Sequence, residues 1–291
     1  MKADGDPVIS ERPGDLLSDF SLEMTAKDAG ALEKAAGLLP AGTRVNVTFL
    51  AGEDSALRVH AARVIRRLGF RAVPHVSARR LTSERELMRH LSALADAGAA
   101  EEVCVVGGDP ARPAGPYEDA PALIRTGLLA RSGVRQVSVA GYPEGHPHIP
   151  PAELWRALED KHRALLEQDL GMTVITQFGF DAAPIVRWLG ELRARGIRSP
   201  VRVGVPGPVG VKRLLRYARR FGVNSSAGIV RKYGISLTNL LATAGPERFV
   251  ERLRGQLDPA RHGDVRLHLY TFGDLPASAR WAHEHRSART P

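Results

Sequence analysis

Eight short apolar runs, separated by longer stretches of helical periodicity, restrict the fold of this chain more than any other feature. The runs are Asp19–Met24, Arg44–Leu50, Arg71–Ser77, Glu101–Gly108, Gln136–Pro143, Met172–Phe180, Val201–Gly207 and Val265–Phe272. Between them the apolar period becomes that of a helix, as in "SALRVHAARVIRRLG", where Leu57, Ala61, Val64, Ile65 and Leu68 share one stripe. Such strand–helix units predict a single α/β domain, a (β/α)8 barrel of the TIM type. A doubly wound sheet carries fewer strands and a glycine-rich first turn, and "GTRVNVTFLAGEDS" holds no GxGxxG. The segment Asn224–Gln256, between the seventh and eighth strands, exceeds what one helix needs. Extra short helices are expected there, broken near Gly234 and at Gly245-Pro246. No linker divides the chain. Residues 1–18 read as a flexible N-terminal segment and 19–288 as the barrel, with a loosely packed tail after about His285.

An apolar content of 43% suffices for a sizeable core, and no window approaches the run of about 18 apolar residues that a membrane span needs. The start, "MKADGDPVISERPGD", lacks the apolar stretch of a secretory signal, and a single cysteine excludes an internal disulfide framework. A reducing cytoplasm is therefore expected. Cys104, inside "EEVCVVGG", reads as a small buried hydrophobe. The net charge of +9 comes from arginines scattered along helices, with aromatics at only 5%. That pattern fits a solvated basic surface that attracts anionic small molecules, and predicts neither a nucleic-acid nor a membrane partner. A monomer or small homo-oligomer suits it.

In a barrel, chemistry sits at the C-terminal ends of the strands. The polar residues placed there are Glu23, Thr48, His75, Ser77, Asp109, Tyr142, Glu144, His146, Gln177, Tyr270 and Thr271. Each alone has an ordinary reading: Thr48 is a natural strand residue, His75 after Pro74 suits a core, and Asp109 before Pro110 starts a turn. His146 and His148 lack a third ligand at suggestive spacing, so no metal is expected. Gln177, in the middle of "VITQFGFD", needs a partner, because an unpaired buried amide costs about 1–3 kcal/mol.

As a set these residues resemble the methylenetetrahydrofolate reductases. The resemblance runs in order through "FSLEM", "NVTFLAG", "VGGDPARP", "VAGYPEGHP", "ITQFGFD", "VPGPVG" and "HLYTFG", from about Asp19 to His285. It implies a (β/α)8 barrel that reduces 5,10-methylenetetrahydrofolate to 5-methyltetrahydrofolate in one-carbon metabolism, with methionine biosynthesis as the setting. Glu23 matches the family's acid and Asp109 the anion beside the iminium cation; the resemblance makes these two catalytic. Gln177 would read the pterin edge, with Thr48, Phe178 and Tyr270 also on the substrate. Thr48, His75, Gly108, Asp109, Tyr142 and His146 fall at cofactor positions. The implied partner is a tetrahydrofolate, with or without a polyglutamate tail, and the implied hydride donor is NADH or NADPH. A carboxyl group in a largely apolar surround, as Glu23 has by sequence between Leu22 and Met24, stays protonated long enough to serve as an acid.

The match breaks where FAD, the usual prosthetic group of the family, would need cations. The family's arginine before the Gly-Asp of strand four is Gly107, and the lysine expected eleven positions before Gln177 is Leu166, preceded by Leu165. The basic trio Lys161, His162 and Arg163 stands one turn early. Met24 and Thr25 replace an aromatic pair after the acid, and Gly179 opens space where an aromatic would stand. These changes favour a flavin-independent branch with direct hydride transfer. The competing readings are an FAD-dependent reductase using Arg112 or Lys161, a folate-dependent one-carbon transferase, and a non-catalytic barrel acting as a partner.

Overall fold

A computed structural model describes residues 15–210 and 243–287. Eight parallel strands close into a barrel: β1 (Ser21–Met24), β2 (Arg44–Val47), β3 (Arg71–Ser77), β4 (Glu102–Val106), β5 (Gln136–Gly141), β6 (Gly171–Thr176), β7 (Val201–Pro206) and β8 (Val265–Tyr270). Around the ring β1 pairs with β2 and β8, and the remaining strands follow in sequence order. The expected (β/α)8 architecture is observed. Several strands end earlier than the apolar runs suggested, and the sixth matters most. It stops at Thr176, so Gln177 is the first residue beyond the strand and not a polar interruption within it.

Strand residues alternate between lumen and helical layer, and contacts between non-neighbouring strands must cross the lumen. Glu23 of β1 reaches His75 of β3, and Arg44 of β2 reaches Glu102 of β4. Leu22 and Met24, one step out of phase with Glu23, are fully buried on the other side. The ring of helices contains α1 (Ala29–Ala35), α2 (Ser55–Arg67), α3 (Glu84–Asp96), α4 (Ala120–Arg125), α5 (Leu128–Arg131), α6 (Pro151–Leu166) and α7 (Ala182–Ala194). It continues with α8 (Glu247–Gln256), α9 (Pro259–His262) and α10 (Leu275–Ser287). Side-chain oxygens of Asp54, Ser83, Asp119 and Asp181 cap α2, α3, α4 and α7, each accepting from a first-turn N–H. α8 begins directly after the expected Gly245-Pro246 break, and α9 lies beyond the Asn224–Gln256 segment, most of which is outside the described residues. The break expected near Gly234 lies outside the described residues.

The N-terminal end of the barrel is closed by charge. Asp19 Oδ1 accepts from Arg44 Nη1 at 3.0 Å, and Asp19 Oδ2 meets Arg202 Nη2 at 2.6 Å. Glu102 takes Arg44 Nε at 2.8 Å and Arg71 Nη1 at 3.4 Å. Residues 15–18, expected to be flexible, are packed here: Leu16 and Leu17 are buried, and the Leu267 N–H donates to the Leu16 carbonyl at 3.0 Å. Among the described residues no helix is long and apolar enough to cross a membrane.

Candidate active site

Glu23 stands near the C-terminal end of β1, level with Asn46 of β2 and Tyr270 of β8. Its Oε2 lies 3.6 Å from His75 Nε2 and 3.7 Å from His268 Nε2. The largely apolar surround expected from Leu22 and Met24 is therefore not what the carboxylate meets, because those two neighbours point the other way. It faces two imidazoles across the lumen. Each ring is tied in turn: Ser21 Oγ is 2.7 Å from His268 Nδ1, and Asn46 Nδ2 is 3.4 Å from His75 Nε2. Burial holds the His75 imidazole below its ordinary value and outweighs the pull of Glu23 in the opposite direction. Tyr270 is raised well above the usual phenol range, first by burial and then by Glu23. Its hydroxyl donates to the Thr176 carbonyl at 3.1 Å.

Two buried hydroxyls at this end have no hydrogen-bond partner among the described residues. Thr48, the first residue after β2, and Ser77, the last of β3, each present an oxygen without a hydrogen bond. Buried polar groups are normally paired, so a bound molecule at the mouth has hydrogen bonds to make here. Gly108 shapes the same corner. Its φ is +97°, and a Cβ would come 2.3 Å from Ser77 Oγ, so only glycine fits beside that hydroxyl.

The next residue, Asp109, is 73% exposed at its side chain and is clasped by Arg80, whose Nη2 and Nε lie 2.5 and 3.0 Å from Oδ1. The guanidinium of Arg58 sits 4.0 Å over the Phe49 ring and that of Arg80 5.7 Å from it. After β5, the rings of Tyr142 and His146 meet edge-on at 5.4 Å. Burial and, less, Cys104 raise the Tyr142 phenol. Cys104 itself is buried, with its thiol pushed up by that burial. Gln177 Oε1 accepts from the N–H of Phe178 at 3.1 Å. Phe178 is buried and packs against Tyr270 and Phe272 at 5.5 and 5.3 Å between centroids. It backs the wall behind Tyr270 and exposes little surface to a ligand.

The altered flavin positions now have a geometry. A Cβ on Gly107 would meet nothing within 4 Å, so the backbone there does not demand a glycine in place of the family's arginine. Gly179 does not leave open space. A Cβ there would come 2.7 Å from Glu144 Oε1, which also accepts from the Phe180 N–H at 3.3 Å. Lys161 is buried on α6, with Nζ 3.4 Å from the Ala140 carbonyl, and Leu166 is exposed. Among the described residues no group of three or more His, Cys, Asp or Glu side chains could hold a metal.

Comparison with known proteins bears directly on this arrangement. The family model for methylenetetrahydrofolate reductase matches residues 25–280. The chain belongs to the methylenetetrahydrofolate reductase family. A 5,10-methylenetetrahydrofolate reductase of Pectobacterium carotovorum is 28% identical over 177 residues, 60% of this chain and 57% of that protein. Methylenetetrahydrofolate reductase 2 of Saccharomyces cerevisiae is 31% identical over 87 residues, 29% of this chain and 13% of that protein. The matches thus span little more than half of these curated relatives at most. Among solved structures, a Clostridium thermocellum protein that binds two copies of 5-methyl-5,6,7,8-tetrahydrofolic acid superposes with a TM-score of 0.61 at 11% identity. That match covers 93% of this chain and 95% of the other. Dihydropteroate synthase of Thermus thermophilus superposes at 0.51 with 18% identity, covering 94% and 96%. At such identities these two establish the shared barrel.

The structure brings Glu23, His75 and Tyr270 together and places Thr48 and Gln177 at the same end of the barrel. It also adds His268, Asn46 and Arg80, which the sequence reading passed over. The alternation in "VRLHLY" puts His268 in phase with Tyr270, a signal that could have found it.

Proposed function

We propose that this protein reduces 5,10-methylenetetrahydrofolate to 5-methyltetrahydrofolate with a hydride taken directly from NADH or NADPH, without flavin. The observation that carries the reading is the Glu23 carboxylate held between His75 and His268 at the barrel mouth of a member of this family. Glu23 supplies the proton that opens the imidazolidine ring to an iminium cation. Asp109 stabilises the cation as a nearby anion, and its clasp by Arg80 fixes the carboxylate's direction. Gln177 reads the amide edge of the pterin, with Thr48 and Tyr270 around it and Phe178 packed behind Tyr270. The nicotinamide supplies the hydride, and Thr48, His75, Gly108, Tyr142 and His146 line its side of the mouth. The folate bound by the Clostridium thermocellum neighbour supports the same ligand class for this barrel.

Loss of flavin is supported by the missing arginine at Gly107 and by the burial of Lys161 against the Ala140 carbonyl. Two measurements on the purified protein test the reading. Its visible spectrum should show no stoichiometric flavin band, and anaerobic NADH should be consumed when methylenetetrahydrofolate is added without flavin. A flavin band overturns direct transfer. No consumption of NADH or NADPH overturns the reductase and leaves a one-carbon transferase or an idle barrel.

A further inference from the structure

A cavity of about 340 Å³ opens between the end of β5, α6 and α7, beside the mouth and not over Glu23. Tyr142, Glu144, Trp155, Arg187, Trp188 and Glu191 give it its chemistry. Its volume falls in the range of small-molecule sites, about 300–1,000 Å³. The indoles of Trp155 and Trp188 stack at 5.5 Å with an 18° tilt, and Arg195 covers Trp155 at 4.4 Å. Trp188 lies so close to β5 that a Cβ on Gly141 would come within 2.9 Å of it. Arg187 and Glu191 are one turn apart on α7 and both exposed. Tyr142 and Glu144 belong to the cavity and to the loop at the barrel mouth, so one extended ligand can occupy both.

This set of groups matches one end of a dinucleotide. The half-buried edge of Trp155 gives the rim of a flat base an apolar contact, a guanidinium suits a phosphate, and a carboxylate accepts from both hydroxyls of an unmodified ribose. Glu144 and Glu191 in the lining oppose one further phosphate on the ribose, which argues against the 2′-phosphorylated form of that nucleotide. We propose that the cavity takes the adenosine diphosphate end of the nicotinamide nucleotide, and that Glu191 selects NADH over NADPH. The assignment rests on the direct hydride donor proposed above.

Calorimetric titration of the whole protein with ADP-ribose and with 2′-phospho-ADP-ribose tests it. The wild type should bind ADP-ribose about tenfold or more tighter than its 2′-phosphate, a difference of about 1.4 kcal/mol. Glu191→Gln should shrink that ratio to about threefold or less, and Arg187→Ala should weaken both probes together, with the KM for methylenetetrahydrofolate unchanged in each. Both positions are exposed, so folding is retained. Absence of ADP-ribose binding by the wild type, or an unchanged ratio in Glu191→Gln, overturns the assignment. Binding is read without turnover, so the two readings fail separately. A flavin-free protein that oxidises NADH but shows neither effect loses only the cavity. One that shows both effects but does not oxidise NADH loses only the reductase.

Discussion

Glu23 Oε2 lies 3.7 Å from Nε2 of His268, a wholly buried ring whose other nitrogen is 2.7 Å from Ser21 Oγ. The carboxylate is thus placed by side chains of β1, β3 and β8, all inside a rigid barrel. Glu23→Gln keeps the size and most hydrogen-bonding capacity of the side chain but removes the transferable proton. We expect kcat for methylenetetrahydrofolate reduction to fall about 100-fold or more, the scale of lost general-acid catalysis. The folate KM should change little, and circular dichroism should match the wild type. A variant that retains most of its turnover removes Glu23 from the acid role.

Gly179 makes a second, steric prediction. If the glycine merely left a gap, an aromatic placed there would fill it and stabilise the protein. Instead Glu144 Oε1 and Ile185 Cδ1 stand 2.7 and 3.3 Å from the position of a Cβ. Gly179→Phe should therefore destabilise by about 1–3 kcal/mol, as overpacking does. Glu144→Ala in the same chain should recover part of that loss. Urea midpoints of the two variants check the pair, and a stabilised Gly179→Phe would show that the loop after β5 yields freely.

The barrel was legible because its signal is repetitive and local: each strand and helix announces its own period. The strand ends were less so. The run through Phe180 stays apolar for aromatic packing around Tyr270 and Phe272, not for strand pairing, which is why Gln177 looked like an interruption of the core. What surrounds Glu23 was not legible at all from Leu22 and Met24. Its neighbours arrive from β3 and β8 across the lumen, and sequence adjacency says nothing about them. Glu144 against Gly179 is the same lesson, a contact between loops that local text shows as a vacancy.

The charge cluster at the N-terminal end of the barrel should matter far more than its surface counterparts. Asp19 serves Arg44 and Arg202, and Arg202 is only 5% exposed. Asp19→Asn leaves a buried guanidinium without its counter-ion. The loss should be about 2–3 kcal/mol, at the lower end for a broken buried pair because Asp19 is itself 37% exposed. Glu33→Gln removes an equally short pair with Arg67, but one whose partners are 45% and 66% exposed, and should cost less than about 1 kcal/mol. Equal losses in a urea series would mean that geometry, and not desolvation, sets the value of these pairs.

Lys161 offers a prediction whose sign depends on pH. Burial lowers its amine from the ordinary 10.5 to about 8, with Cys104 and Asp119 pulling the other way, and its Nζ donates to the Ala140 carbonyl at 3.4 Å. Below about pH 8 the amine is charged in both folded and unfolded chains, and the folded state bears the cost of burying it. Between about pH 8 and 10.5 the folded protein has shed the proton that the unfolded chain still holds, so stability contributed by this residue rises with pH. Lys161→Met keeps the aliphatic length without the charge. It should be more stable than the wild type at pH 7 by up to about 3 kcal/mol, the value of a shift of this size, with the advantage shrinking towards pH 10.5. Urea denaturation of both proteins at pH 7 and pH 10 measures the gap. A methionine variant that is less stable at pH 7 would show that the buried ammonium is held by favourable interactions larger than its desolvation, and would return Lys161 to the candidates for binding an anionic cofactor.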